Sequence, residues 1–226
     1  MSKAEKKQEK KAEETKPTTV LLVRHGQNDW VGKHKLAGWT PGVHLNPYGR
    51  KQAESVGKRL AKTRAKIDKI YASPLERTVE TAELIAKHID VPIKTYKKIG
   101  EVEYGDWTGK EIKKLAEKKE WAVVQYYPSD AQFPKGESLY EMQARAVQAV
   151  NKLVKKHPGQ TLLLVSHADL IKSVIAHYLG VHLDLFQRIV VSPASITTIV
   201  FTFMRPMVYT VNDTSHLPPP PKEKKG

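Results

Sequence analysis

The stretch Thr19-Val20-Leu21-Leu22-Val23-Arg24-His25-Gly26 decides how this chain folds. Its four consecutive apolar residues predict the central strand of a parallel sheet, because strands covered on both faces are apolar throughout. The strand ends in a cation, an imidazole and a glycine, and Gly26 lets the backbone turn sharply and approach a ligand closely. Ligands of open α/β sheets bind beyond the carboxyl ends of such strands, so this stretch also predicts a site.

A second stretch repeats this pattern. Thr161-Leu162-Leu163-Leu164-Val165-Ser166-His167-Ala168 is another apolar strand that delivers a histidine, followed by a small residue and then a helix. A single histidine at a strand end is more often structural than functional, but packing does not readily explain two. Strand and helix signals alternate along the chain, which predicts a three-layer α/β/α fold with a largely parallel central sheet.

Composition limits the classes of protein to which the chain can belong. It has 226 residues, 40% of them apolar, which suits one α/β domain. The absence of cysteine excludes disulfides and thiol chemistry and fits a cytoplasmic protein. No apolar run approaches the ~18 residues of a membrane span, and the N-terminus lacks the apolar core of a signal peptide, so we expect no membrane partner.

The formal net charge of +14 suits a nucleic-acid protein, a membrane-surface protein or an enzyme for anionic substrates. No aromatic-rich basic motif or zinc-ligand spacing occurs, and we therefore expect no nucleic acid partner. The distribution of charge and proline divides the chain into a disordered Lys/Glu-rich extension at 1–17, one domain at 18–212 and a Pro/Lys-rich tail at 213–226.

Local signals place the elements around these strands. Asn46 followed by Pro47 predicts a helix start, as does Ser73 followed by Pro74, and Ser138 with Glu141 predicts a capping box. We expect a loop over 27–44 and helices over 110–119 and 138–157. Arg77 falls in the first turn of the helix after Ser73, where a cation is disfavoured unless it faces solvent or an anion shares the site. The remaining strand signals cover 67–72, 92–96, 195–203 and 208–211.

Two histidines with nearby cations and acids indicate phosphoryl chemistry. A neutral imidazole can attack phosphorus and form a phosphohistidine. The non-bridging oxygens then need cationic donors, for which Arg24, Arg77 and His167 are available, and the fork of an arginine pairs with two oxygens at once. A carboxylic acid could protonate the leaving alcohol. Such a site needs no Mg²⁺, so we expect no cofactor and no metal.

The tripeptide Arg24-His25-Gly26 resembles the signature of the histidine phosphatase superfamily, the phosphoglycerate mutase-like group. Further blocks of the resemblance follow in family order, and residues 36–42 also resemble a smaller subgroup described as phosphomutases. These further blocks are Ser73-Pro74-Leu75-Glu76-Arg77-Thr78 with Thr81-Ala82, residues 101–109, Gly136-Glu137-Ser138 with Arg145, and Ser166-His167.

The resemblance implies a role for each matching residue. His25 would be the phosphorylated nucleophile, and Glu101 would protonate the leaving group, with Glu103 as the rival acid. The phosphoryl group would be held by Arg24, Asn28, Arg77, His167 and Ala168. We expect the other histidines, His34 among them, to be surface or structural.

Three positions depart from the family pattern. Asn28 stands where the family usually has Ser or Thr, and its amide can donate a hydrogen bond where the hydroxyl would. Val31 stands where Asn is frequent, and Ala168 where Gly is usual. These departures bear on contacts to the substrate more than on the catalytic residues.

The sequence leaves four functions to compare. The leading one is a metal-independent phosphatase that hydrolyses small phosphomonoesters, and the nearest rival is a phosphomutase with the same phosphohistidine. The segment 121–135 is short, whereas phosphoglycerate mutases tend to have longer insertions over the site, which favours hydrolysis. A non-catalytic binding protein and a metallohydrolase with His25 and His167 as ligands complete the set. The sequence predicts no oligomeric state.

Overall fold

The computed structural model describes residues 16–63 and 66–220. The predicted disorder of 1–17 concerns residues that lie almost entirely outside this described part. The strands are β1 (Thr18–Arg24), β2 (Lys69–Ala72), β3 (Ile93–Thr95), β4 (Thr161–Ser166), β5 (Ile196–Phe201) and β6 (Pro206–Asp213). The helices are α1 (Asp29–Gly32), α2 (Pro47–Lys62), α3 (Glu76–Ile89), α4 (Ile112–Leu115), α5 (Lys119–Tyr126), α6 (Leu139–Lys156) and α7 (Ala168–Leu179).

Within the described residues, the strands form one six-stranded sheet in the order β3-β2-β4-β1-β5-β6. β3, β2, β4 and β1 run parallel, whereas β5 pairs antiparallel with β1 and β6 pairs antiparallel with β5. The predicted largely parallel sheet is therefore confirmed. The register of β1 with β4 pairs Arg24 with Ser166, so the residues that follow both strands emerge at the same edge.

The core occupies both faces of the sheet. Val20 and Leu22 of β1 belong to a cluster with residues of α6 and α7, while Leu21 and Val23 belong to a second cluster with residues of α2 and α3. Successive residues of a strand point to opposite faces, so a continuous apolar run buries both sides. The predicted three-layer α/β/α architecture is confirmed.

Two local predictions hold at the level of individual hydrogen bonds. The side chain of Asn46 accepts from the Gly49 backbone N–H at 2.8 Å, and Pro47 is the first residue of α2. Ser138 and Glu141 form the reciprocal capping box at the start of α6. Both signals lie within four residues, which makes them readable without the tertiary fold.

Three other predictions need correction. The loop expected over 27–44 contains the short helix α1, whose first turn is capped by Asn28. The single helix expected over 110–119 is wrong, because the extended backbone of Lys118 separates α4 from α5 and lets Leu115 and Val124 enter the same core. β6 runs from Pro206 to Asp213 and so is two residues longer at each end than the strand expected over 208–211.

The end of β6 and the residues that follow it lie against α2. Arg59 contacts Asp213 and the Ser215 hydroxyl, and Tyr48 donates a hydrogen bond to the Pro218 carbonyl at 2.9 Å. Leu217 packs against the core cluster on the same face of the sheet as α2.

The division of the chain into extension, domain and tail stays a prediction. In the part of the chain that the structure describes, no helix has the length and apolarity needed to cross a bilayer.

Replacing Gly49 by alanine should destabilise the protein by about 2–3 kcal/mol, as overpacking of a tight contact does. Glycine to alanine within a helix normally stabilises, but here the added Cβ would overlap the backbone carbonyl of Gln27. Chemical denaturation would give the free energy of unfolding. Gly32→Ala is the matched control, since its Cβ would meet no atom within 4 Å. Equal effects of the two changes would contradict the close approach of α2 to the segment after β1.

Candidate active site

The two strand-terminal histidines lie together at the carboxyl edge of the sheet. The ring centroids of His25 and His167 are 5.3 Å apart, with an angle of 63° between the ring planes. The two residues are 3% and 0% exposed. β1 and β4 are adjacent and parallel, so the register of the sheet brings both imidazoles together at one edge.

Hydrogen bonds fix which nitrogen of His25 carries the lone pair. Nδ1 lies 2.7 Å from the Gly26 carbonyl, which only accepts, so Nδ1 carries the proton. Nε2 accepts from Nε of Arg77 at 3.3 Å and is the unprotonated nitrogen. Burial, followed by the charges of Arg77 and Arg24, lowers the pKa of His25 well below its usual value. A neutral imidazole that is unprotonated at Nε2 is the form that can act as a nucleophile.

Arg77 does not face solvent. It is 1% exposed, and its Nη2 donates to the Gly38 carbonyl at 2.8 Å and to Nδ1 of His167 at 3.2 Å. The first turn of α3 therefore projects its cation into the cavity beside both histidines. Arg24 reaches the same cavity from the end of β1, held by a 2.7 Å hydrogen bond from Nη1 to the Val191 carbonyl.

Ser73 does not cap the helix as predicted. α3 begins at Glu76, its N-cap is Leu75, and that cap makes no side-chain hydrogen bond. The Ser73 hydroxyl instead lies 2.8 Å from Nε2 of His167. Because Nδ1 of His167 already accepts from the Arg77 guanidinium, Nε2 carries the proton and donates to Ser73. Burial, followed by the charge of Arg77, lowers the pKa of His167 well below its usual value, which favours the neutral ring.

The two candidate acids occupy different environments. Glu101 is buried and lines the cavity, and its Oε2 lies 3.8 Å from Nδ1 of His167. Glu103 is exposed, and its backbone N–H donates to the Glu137 carboxylate. Burial, with a smaller contribution from the Asp169 carboxylate, raises the pKa of Glu101 to about 7. A carboxyl group that is still protonated near neutral pH can serve as a general acid.

The cavity between these groups has a volume of about 270 Å³. Three buried nitrogens on residues that line it have no hydrogen-bond partner among the described residues: Nε of Arg24, Nη1 of Arg77 and Nδ2 of Asn28. The Asn28 side-chain oxygen accepts from the Val31 N–H at 2.9 Å, which leaves the amide nitrogen as the free donor. Buried donors normally find an acceptor, so three unpaired donors around one cavity indicate an anion site.

Ala168 and Val31 also line this cavity. Ala168 is the first residue of α7, where backbone N–H groups lack intrahelical acceptors and favour anions. Val31 presents an apolar side chain, so the donor that an asparagine would supply there is absent. Six of the seven sequence-predicted site residues line the cavity: Arg24, His25, Asn28, Arg77, Glu101 and Ala168. The seventh, His167, is fully buried beside the cavity, where it contacts Arg77 and Glu101.

Sequence reasoning missed several residues at the cavity. Tyr104 donates a hydrogen bond to Asp169 at 2.8 Å, and both line the wall beside Glu101. His34, expected to be surface or structural, is exposed but lines the cavity together with Lys35 and Leu36. No local signal in the sequence marks His34, Lys35 and Leu36, because the path of residues 29–38 brings them there. Among the described residues, no group of three or more His, Asp or Glu is arranged to hold a metal ion.

Comparisons with known proteins agree with this geometry. A family model described as "Histidine phosphatase superfamily (branch 1)" matches residues 20–214. The chain is 30% identical to Phosphoserine phosphatase 1 of Hydrogenobacter thermophilus, over 88% of this chain and 93% of that protein. It is also 30% identical to the 2,3-bisphosphoglycerate-dependent phosphoglycerate mutase of Bartonella henselae, over 87% of this chain and 94% of the other.

Comparison with solved structures also shows similarity to a phosphatase of known structure. A mutant of the phosphoserine phosphatase from Entamoeba histolytica, in complex with phosphoserine, superposes with a TM-score of 0.81 at 27% identity. The match covers 89% of this chain and all of the other. The predicted fold family is therefore confirmed by sequence and by structure.

Proposed function

This chain belongs to the histidine phosphatase superfamily, and we propose that it is a metal-independent phosphatase that hydrolyses small phosphomonoesters through a phosphohistidine at His25. The observation that carries the proposal is the set of three partnerless buried donors, from Arg24, Arg77 and Asn28, around the cavity that the His25 nucleophile adjoins. That arrangement supports an anionic group next to a neutral nucleophile.

In the first step, the Nε2 lone pair of His25 attacks phosphorus while the bond from phosphorus to the leaving oxygen breaks. Arg24, Arg77 and Asn28 donate to the non-bridging oxygens, whose charge they stabilise in the transition state. Glu101 gives its proton to the leaving oxygen, which departs as an alcohol. A dianion in the cavity would also favour the imidazolium form of His167, which could then donate from Nδ1.

In the second step, water attacks the phosphohistidine and gives a proton to the Glu101 carboxylate. The bond from phosphorus to Nε2 of His25 breaks, and inorganic phosphate leaves. The enzyme returns to its starting protonation state, since Glu101 regains the proton that it lost. Glu103 is not proposed as the acid, because it is exposed and does not line the cavity.

A phosphomutase is the second candidate, because a related phosphoglycerate mutase covers most of the chain. It would pass the phosphoryl group from His25 to a second hydroxyl instead of water. Hydrolysis is favoured by the exposure of His34, which lines the cavity and so leaves it open towards solvent. Lys35 would suit a leaving group that carries a further negative charge. We also propose a cytoplasmic location, which rests on the cysteine-free sequence.

The test distinguishes the phosphatase from the phosphomutase by the product that each forms. We expect the protein, in the presence of a chelator, to release inorganic phosphate from phosphoserine and from 3-phosphoglycerate. The same 3-phosphoglycerate reaction, primed with 2,3-bisphosphoglycerate, would be analysed for 2-phosphoglycerate. If 2-phosphoglycerate formed faster than inorganic phosphate was released, the protein would be a phosphomutase and not a phosphatase. Activity that the chelator abolishes would overturn the metal-independent mechanism.

A further inference from the structure

The backbone of the proposed acid is held from two sides. The Glu101 carbonyl oxygen accepts from Nε1 of Trp39 at 2.7 Å and from Nη2 of Arg145 at 2.8 Å. The Glu101 carboxyl is held by a third hydrogen bond, in which Oε1 accepts from the Val102 N–H at 3.0 Å. Two donors on one carbonyl fix the plane of that peptide, and with it the direction in which the side chain leaves the backbone.

The two donors come from different parts of the fold. Arg145 lies on α6 and also donates to the Gly100 carbonyl and to the Glu137 carboxylate, so it secures the whole segment. Trp39 lies in the segment between α1 and α2 and contributes one directional bond. Its ring packs so closely on Gly100 that a Cβ at that position would overlap it, and the Lys97 ammonium lies 5.6 Å from the ring centroid.

The residue before Trp39 contacts the other side of the site. The Gly38 carbonyl accepts from Nη2 of Arg77 at 2.8 Å. Gly38 has a φ of +50°, and a Cβ there would lie 3.0 Å from the Tyr104 ring. Gly38 therefore binds Arg77, the cation that would hold the phosphoryl group. The next residue, Trp39, binds the segment that carries Glu101.

We propose that Trp39 is a positioning residue for proton transfer, whose indole N–H sets the placement of the Glu101 carboxyl relative to the phosphate-binding Arg77. The proposal rests on the proposed function, because it assumes that Glu101 protonates the leaving group. It differs from a packing role, which the closely packed ring would also allow. A packing role would affect all substrates equally, whereas a positioning role affects the substrates that need an acid.

The test uses two leaving groups. Trp39→Phe should lower kcat/KM for phosphoserine by about 10-fold, less than the 10²–10⁴-fold that a positioned acid contributes, because Arg145 still holds the carbonyl. For p-nitrophenyl phosphate the change should stay under about 2-fold, since p-nitrophenolate leaves with little need for a proton. Both values report phosphoenzyme formation, the step in which the acid acts.

Trp30→Phe is the matched control. Trp30 lies in α1, shortly before the segment that carries Trp39. A lysine ammonium, that of Lys35, lies 6.0 Å from its ring centroid, but its indole is not a donor to the Glu101 carbonyl. We expect no selective loss with phosphoserine. A second Trp39 variant carries 3-benzothienylalanine, in which sulfur replaces only the N–H, so the packing is retained while the hydrogen bond is lost.

The outcomes are distinct. Selective loss with phosphoserine in both Trp39 variants supports the positioning role. Equal losses with both substrates, or an unchanged profile for the benzothienylalanine protein, would show that Trp39 only packs. Failure of the proposed function would look different, because the unmodified protein would then hydrolyse neither substrate.

Discussion

Replacing His25 by alanine is expected to lower phosphomonoester turnover by at least about 10⁴-fold, as removal of a nucleophile does. The reason is the protonation of the ring: Nε2 is the unprotonated nitrogen of a residue that lines the cavity, while Nδ1 is bound to the Gly26 carbonyl. The variant should also form no acid-labile phosphoprotein when it is mixed with labelled substrate and quenched. Quench-trapping and steady-state phosphate release measure the two effects separately.

Two controls keep this result interpretable. His34→Ala deletes an imidazole from the mouth of the same cavity and should change turnover by less than about 10-fold, because it touches no proposed reacting atom. His25→Asn retains a polar side chain that Arg77 can bond, so a thermal melt close to that of the unmodified protein would show that the site is still folded. Label trapped on the His25 variants, for instance at His167, would overturn the assignment of the nucleophile.

Replacing Glu101 by glutamine is expected to cost about 10²–10⁴-fold in kcat/KM for phosphoserine, the usual contribution of a general acid. The amide keeps the shape and the hydrogen bond from the Val102 N–H but cannot release a proton. The loss with p-nitrophenyl phosphate should be much smaller. Phosphoenzyme formed from that substrate should accumulate, because the glutamine cannot accept a proton from water in the second step.

The pH profile gives an independent signature of the same residue. Burial and the Asp169 carboxylate raise the pKa of Glu101 to about 7, so the acid is present below that pH and is lost as the pH rises through it. We expect kcat/KM for phosphoserine to fall above about pH 7 in the unmodified protein and to lose that limb in Glu101→Gln. On the acid side, the lowered pKa of His25 keeps the nucleophile neutral well below pH 6.5.

Glu103→Gln provides the matched control for this profile. Its carboxylate is exposed and does not line the cavity, so rate and profile should remain those of the unmodified protein. The second ionisation of the substrate phosphate, near pH 6, is common to all variants and cancels in the comparison. If the fall in kcat/KM at high pH persisted in Glu101→Gln but vanished in Glu103→Gln, Glu103 and not Glu101 would be the general acid.

The amino-acid sequence by itself determined the frame of this protein. The apolar runs before His25 and His167 predict buried parallel strands, and the structure pairs those strands in register. Cap signals at Asn46 and Ser138 predict where α2 and α6 begin. These features follow from short-range physics, since hydrophobic periodicity and capping involve residues only a few positions apart.

Only the tertiary structure decided what surrounds the nucleophile. Ser73, which its neighbours in sequence mark as a helix cap, orients His167 instead, because the fold places that imidazole against its hydroxyl. His34 and Trp39 reach the site through a segment whose path depends on contacts with Gly100 and Arg77. Such placements are set by residues that are distant in sequence, and propensity and spacing carry no information about them.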